Sequence, residues 1–177
     1  MVATDVKRAN RTVQAARSTI CANTGTKPGP QIVFNPSRSQ ARELFFTTWA
    51  KYRSGHPLEG LESTALEVIL LHPEYHALLS EREKSIERDY LPDSGELNPF
   101  LHMSLHLSIA EQLAIGQPPG ITDIFNALVA KQGDRHTALH VVLECLGEAV
   151  WQANRSGSSP DQEAYLTCLR NQLNRLQ

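Results

Sequence analysis

The sequence predicts an all-α protein, a compact bundle of about six to seven helices with a flexible N-terminal extension. Three observations carry this. Apolar residues recur at three- and four-residue intervals in successive stretches. Those stretches open on Asn-Pro, Asp or Pro-Asp and stop at Gly or Pro. No stretch of useful length alternates apolar and polar residues as a strand would. At 177 residues, 41% hydrophobic and 20% charged, the chain suits one globular domain with its own core.

Residues 1–33 read as a flexible basic extension. Lys7, Arg8, Arg11, Arg17 and Lys27 face only Asp5, and Gly25, Pro28, Gly29 and Pro30 interrupt any helix. A natural start at Val33 would leave this segment outside the native protein; an intact mass that includes residues 1–32 would overturn that hypothesis. The helical domain is expected over 34–177. Asn35-Pro36 caps a first helix running to about Tyr52, with Leu44, Phe45, Trp49 and Tyr52 as its apolar stripe. A second spans about Glu59 to Leu71, with Leu61, Ala65, Val68 and Ile69 inward. Pro73 disfavours helical geometry at His72, so the chain bends there and restarts as a short helix to about Arg88, with Ser80 as a candidate break. After a polar loop (Pro92, Asp93, Gly95), Asn98-Pro99 opens the central helix, which Gly116 and Pro118-Pro119-Gly120 close. Helices over Ile121–Lys131, from Asp134 to about Arg155, and from Pro160-Asp161 to about Leu173 complete the bundle.

Charge and composition exclude several function classes. The formal net charge is −2, although unevenly spread: residues 34–177 carry 12 basic and 18 acidic side chains. Nothing in this balance points to nucleic acid or to an anionic membrane. No apolar run approaches the length of a membrane span, and the N-terminus lacks a secretory core. Three cysteines, Cys21, Cys145 and Cys168, form an odd number without C-x-x-C. That argues against a disulfide framework and a zinc ribbon, and makes a reducing cytoplasm the simplest compartment. There is no glycine-rich phosphate loop and no G-x-S-x-G, so no nucleotide cofactor is expected. Trp49 and Trp151 read as core or groove aromatics, and Cys145 as a small buried residue.

The histidines stand out. Six of the seven fall into i,i+4 pairs, His72/His76, His102/His106 and His136/His140. Chance placement would give about a quarter of one such pair. A helix advances about 100° per residue, which puts His102 and His106 some 40° apart on the apolar side of the central helix with Leu105 and Ile109. Glu111 lands on the opposite face. His136 and His140 lie at the edge of the stripe made by Leu139, Val142, Leu146 and Val150, and Glu144 continues their row. Neutral imidazoles four apart on a helix can converge on one ion. Glu144 is a candidate third ligand, second-shell acceptor or general base. The His72/His76 pair is interrupted by Pro73, with Glu74 and Tyr75 between its members.

Several segments together, FNPSRSQARELFFTTWAKYRSGHPL, HPEYH, NPFLHMSLHLSIAEQ with QPPGI, and GDRHTALHVVLECLGEAVWQA, resemble a bacterial family catalogued as a domain of unknown function, number 1841, over about residues 34–170. The resemblance implies a small, mainly helical cytoplasmic protein and brings no activity or catalytic residues. Two readings of function stay open. In the first, the protein binds a divalent metal, zinc or iron, through His102, His106, His136 and His140, with Glu144, His72 and His76 nearby. In the second, it is a non-enzymatic helical adaptor or self-associating protein, with structural histidines and a groove for a protein partner or a second copy of itself.

Overall fold

The computed structural model describes residues 38–86, 88, 90 and 98–176. Among them the regular structure is helical: α1 (Arg38–Ser54), α2 (Leu61–Leu71), a 3₁₀ turn (Pro73–Tyr75), α3 (His76–Ser80), α4 (Arg82–Ser85), α5 (Pro99–Ile115), α6 (Ile121–Gln132), α7 (Arg135–Ser156) and α8 (Gln162–Arg175). The all-α expectation holds. The helix count is close to the expected one and exceeds it because the segment after Pro73 is cut into a 3₁₀ turn and two short helices. The basic extension, the Asn35-Pro36 cap and the Pro92–Gly95 loop lie outside the described residues. Among those described, no helix is long and apolar enough to cross a membrane.

The boundaries follow local chemistry. The Asn98 side chain accepts hydrogen bonds from the N–H groups of Phe100 and Leu101, at 3.1 and 3.2 Å, and Pro99 supplies a pre-set φ at the first helical position. Gly116 ends α5 in the left-handed region at φ 63°, where a side chain would be strained. Asp134 caps α7 by accepting from Thr137 N and Oγ1, and Asp161 caps α8. At the end of α2, His72 leaves helical geometry (φ −127°, ψ 67°), as the following proline demands.

Two apolar cores share α5. In the first, Phe45, Phe46 and Trp49 of α1 pack with Ala65, Val68 and Ile69 of α2, Leu79 of α3, and Phe100, Met103 and Leu107 of α5. In the second, Ile109 of α5 meets Ile121, Phe125 and Leu128 of α6, Leu139, Val142 and Leu146 of α7, and Tyr165, Leu166 and Leu169 of α8. Each fully buried large apolar side chain contributes roughly 1.5–3 kcal/mol. Anchors at Phe100, Met103, Leu107 and Ile109 therefore fix the rotation of α5 firmly. That rotation turns His106 inward, between the two cores. Phe46 replaces Tyr52 in the buried stripe of α1, while Tyr52 sits at the exposed end of the helix.

Two expectations are corrected. Cys145 and Cys168 form a disulfide joining α7 to α8, with their Cα atoms 5.8 Å apart. An odd cysteine count leaves room for one bridge plus one further thiol, and antiparallel packing brings these two residues opposite one another. The cysteine usage therefore no longer argues for a reducing compartment. Of the two readings of Trp151, core or groove, the core one fails, since the side chain is 51% exposed. It lies on the outer face of α7, where the Arg155 guanidinium covers its ring at 4.6 Å.

Candidate metal centre

Three elements deliver histidines to one point between the cores. The end of α2 supplies His72, the middle of α5 supplies His102 and His106, and the first turns of α7 supply His136 and His140. The His72 ring centroid lies 4.5 Å from that of His106, tilted, and 4.7 and 4.8 Å from those of His102 and His136, which it meets edge-on. His140 lies 5.0 Å from His106 and 4.5 Å from His136. Five imidazoles from three separate segments therefore share one cluster.

The nitrogens converge as well as the rings. One ring nitrogen from each of His72, His102, His106 and His140 lies within 4.8 Å of all the others. His72 Nε2 is 3.0 Å from His102 Nε2 and 3.2 Å from His136 Nε2. With metal–nitrogen bonds of about 2.0–2.1 Å, adjacent donors stand roughly 2.9–3.4 Å apart and opposite ones about 4.1 Å. The two short separations already match neighbouring donors. Closing the widest pair onto one ion asks for an inward shift of under about 1 Å.

Local structure sets the lone pairs. The Nδ1–H of His72 donates to Val68 O at 2.9 Å, satisfying a carbonyl in the last turn of α2. In the neutral ring this leaves Nε2 as an acceptor, and Nε2 is the atom that lies within hydrogen-bond distance of the His102 and His136 rings. His106 is 2% exposed, and neither of its ring nitrogens has a hydrogen-bond partner; His140 Nε2 is likewise buried and unpartnered. A buried polar atom without a partner costs about 1–3 kcal/mol. A structural histidine has at least one nitrogen tied to the protein, and His106 does not fit that description. A ring whose lone pair is held ready for a cation does fit. The donor set is thus compatible with a metal ion.

The electrostatics keep the cluster neutral. Burial, reinforced by the neighbouring imidazoles His72 and His140, pushes His102 down to about 4. Burial, followed by His72 and His102, pushes His106 down to about 3. Burial also lowers His72 and His140. Neutral imidazole is the form that binds metal. The acid behaviour of the metal-free protein follows. The folded values lie below the ordinary 6.5, so the unfolded chain binds more protons between the two. Stability contributed by these groups is complete above about pH 6.5 and is lost as pH falls towards 4 and 3. Helical circular dichroism in EDTA, followed against denaturant at a series of pH values, should show this fall. Constant stability from pH 7 to 4 would contradict it.

The other candidate residues stand apart. His76 opens α3 beyond the 3₁₀ turn, which carries its ring away from His72. Its Nε2–H donates to Ile69 O at 3.0 Å and its ring stacks on Trp49 at 4.4 Å. Glu144 is exposed one turn beyond His140 and reaches that residue only through space. Glu74 lies between His72 and His76 and carries no other signal in the sequence. It is exposed on the 3₁₀ turn, and its charge acts on His72, His102 and His140. Tyr75, half-buried, has its ring 5.7 Å from His72 and 5.9 Å from His102. Its position between His72 and His76 is the one signal the sequence offers. Glu111 lies outside the cluster, with its carboxyl raised by burial.

Comparison with known proteins places the chain in a family and goes no further. No curated protein matches it, and no solved structure does. A family model described as a domain of unknown function, DUF1841, matches residues 37–171, a span that includes every histidine of the cluster. The chain belongs to the DUF1841 family.

Proposed function

We propose that the protein binds one divalent transition-metal ion between α2, α5 and α7. His72, His102, His106 and His140 are the ligands, and His136 is available as a fifth donor. The observation that carries this reading is His106: a buried imidazole, surrounded by four others, with both nitrogens unpartnered. The alternative of purely structural histidines accounts for His76 and for Nδ1 of His72, each tied to a backbone carbonyl, and for the ring-to-ring hydrogen bonds of His72 Nε2 with His102 and His136. It leaves His106 and His140 Nε2 unexplained.

Imidazole donors suit zinc, iron, copper and nickel, and zinc or iron is the assignment put forward here. An ion held by three of the rings keeps a coordination position for a water or substrate, and one held by four keeps one only where it takes five or six ligands. Zinc would there lower the pKa of water for hydrolysis, and iron would handle oxygen. Glu144 has no place in the ligand shell on this reading, and His76 serves the packing around Trp49.

Elemental analysis tests the proposal. Protein carrying no histidine tag, exposed to zinc or to ferrous iron without oxygen and then freed of loose ions, should retain about one ion per chain, as a single site requires. Retention far below one ion per chain for every first-row metal tried would refute it.

A further inference from the structure

We infer that the metal centre takes a small exogenous anion directly onto the bound ion, and that its substrate belongs to the class of small anions or binds as one. This rests on the metal reading of the same site and concerns what completes the shell.

The inference comes from charge. Every donor in the cluster is a neutral imidazole; among the described residues no carboxylate or thiolate joins the group. A divalent ion there would keep its full double charge. His72 and His106, at 1% and 2% exposed, form the closed side of the cluster, so much of that charge sits away from water. A buried charge without a counter-charge is strongly disfavoured. The nearest acidic groups do not supply one. Glu74 and Glu144 are exposed, act through space, and are screened by solvent. Asp134 is exposed and committed to capping α7 through Thr137.

The cluster also has an approach. His136 and His140 on α7 are only half-buried, as is Tyr75 near them, so the α7 side of the cluster is its least covered side, although His140 Nε2 itself is buried. A small ligand can enter from that side while His72 and His106 hold the ion from below. An anion in that position neutralises half of the ion's charge and occupies the side the protein leaves open.

Cobalt(II)-loaded protein titrated with azide tests this. Cobalt reports its own ligand field in the visible spectrum, and azide is a small anion that ligates directly. The expected result is a saturable one-to-one change in the cobalt bands, absent when perchlorate replaces azide at equal ionic strength. His136→Glu places a carboxylate at the cluster and should weaken azide binding by about tenfold or more, as a unit charge at short range in a partly buried site would do. Stoichiometric cobalt with bands indifferent to azide would overturn the inference while leaving the metal site standing. Equal azide affinity in wild type and a cobalt-loaded His136→Glu variant would overturn its electrostatic basis. Failure of the wild-type protein to bind cobalt would remove the metal reading itself, and this inference with it.

Discussion

Replacing His106 with leucine is expected to stabilise the metal-free protein and to remove most of its response to metal. The two unpartnered nitrogens of His106 together cost at least about 1–3 kcal/mol while buried. Leucine has a similar volume and no polar atom, and Met103, Leu107 and Ile109 on the same helix already lie in apolar surroundings. A gain of about 1–3 kcal/mol is expected, or roughly 2–4 °C in Tm per kcal/mol. In the wild type, metal in excess should raise Tm by mass action, worth about 4 kcal/mol at a thousand times Kd. The variant should lose most of that response, and His106→Ala/His140→Ala should lose it entirely. Melting curves with EDTA and with zinc read both effects. A structural histidine would behave oppositely: its replacement would lower the apo Tm and leave the metal response as it was.

Reduction of the Cys145–Cys168 disulfide is expected to destabilise the protein by about 3 kcal/mol. The bond closes a loop between residues 23 apart, and constraint of the unfolded chain by a loop of that size is worth roughly that amount. The two helices keep their contacts in the second core, through Leu139, Val142 and Leu146 on one side and Tyr165, Leu166 and Leu169 on the other. The fold should therefore survive reduction at 25 °C and melt roughly 6–12 °C lower. Thiol counting under denaturing conditions provides the control. One free thiol, from Cys21, should react before reduction and three after it. Three reactive thiols in never-reduced protein, or an unchanged Tm on reduction, would contradict the bridge.

Much of the fold is legible in single residues. Asn98, Pro99, Gly116, Asp134 and Asp161 act locally, so their effect on the chain is readable from spacing alone. Pro73 is also local: it forbids helical geometry at His72, and the helix ends there as expected. The site was legible by halves. Helical angles put His102 and His106 on the inner face of α5, and that is where they lie. Angles give a face, however, and not a meeting point. Convergence of α2, α5 and α7 on one cluster depends on two cores packed on either side of α5, which no local rule supplies.

The third pair shows the same limit from the other direction. His72 and His76 have the same spacing as the others, but the 3₁₀ turn between them separates their rings. His72 joins the cluster while His76 packs on Trp49. The row His136, His140, Glu144 drifts around α7 by about 40° at each step, enough to carry Glu144 into solvent. The disulfide was hidden because spacing within one helix says nothing about the face of the next.

X-ray absorption at the metal edge of tag-free protein, loaded with one equivalent of zinc, tests the central claim most directly. The expected spectrum has a first shell of nitrogen or oxygen at about 2.0–2.1 Å. It also carries the outer-shell scattering of at least three imidazole rings, and sulfur is absent from the shell. A shell of oxygen alone, without imidazole scattering, would place the ion elsewhere on the protein and contradict a metal centre built from His72, His102, His106 and His140.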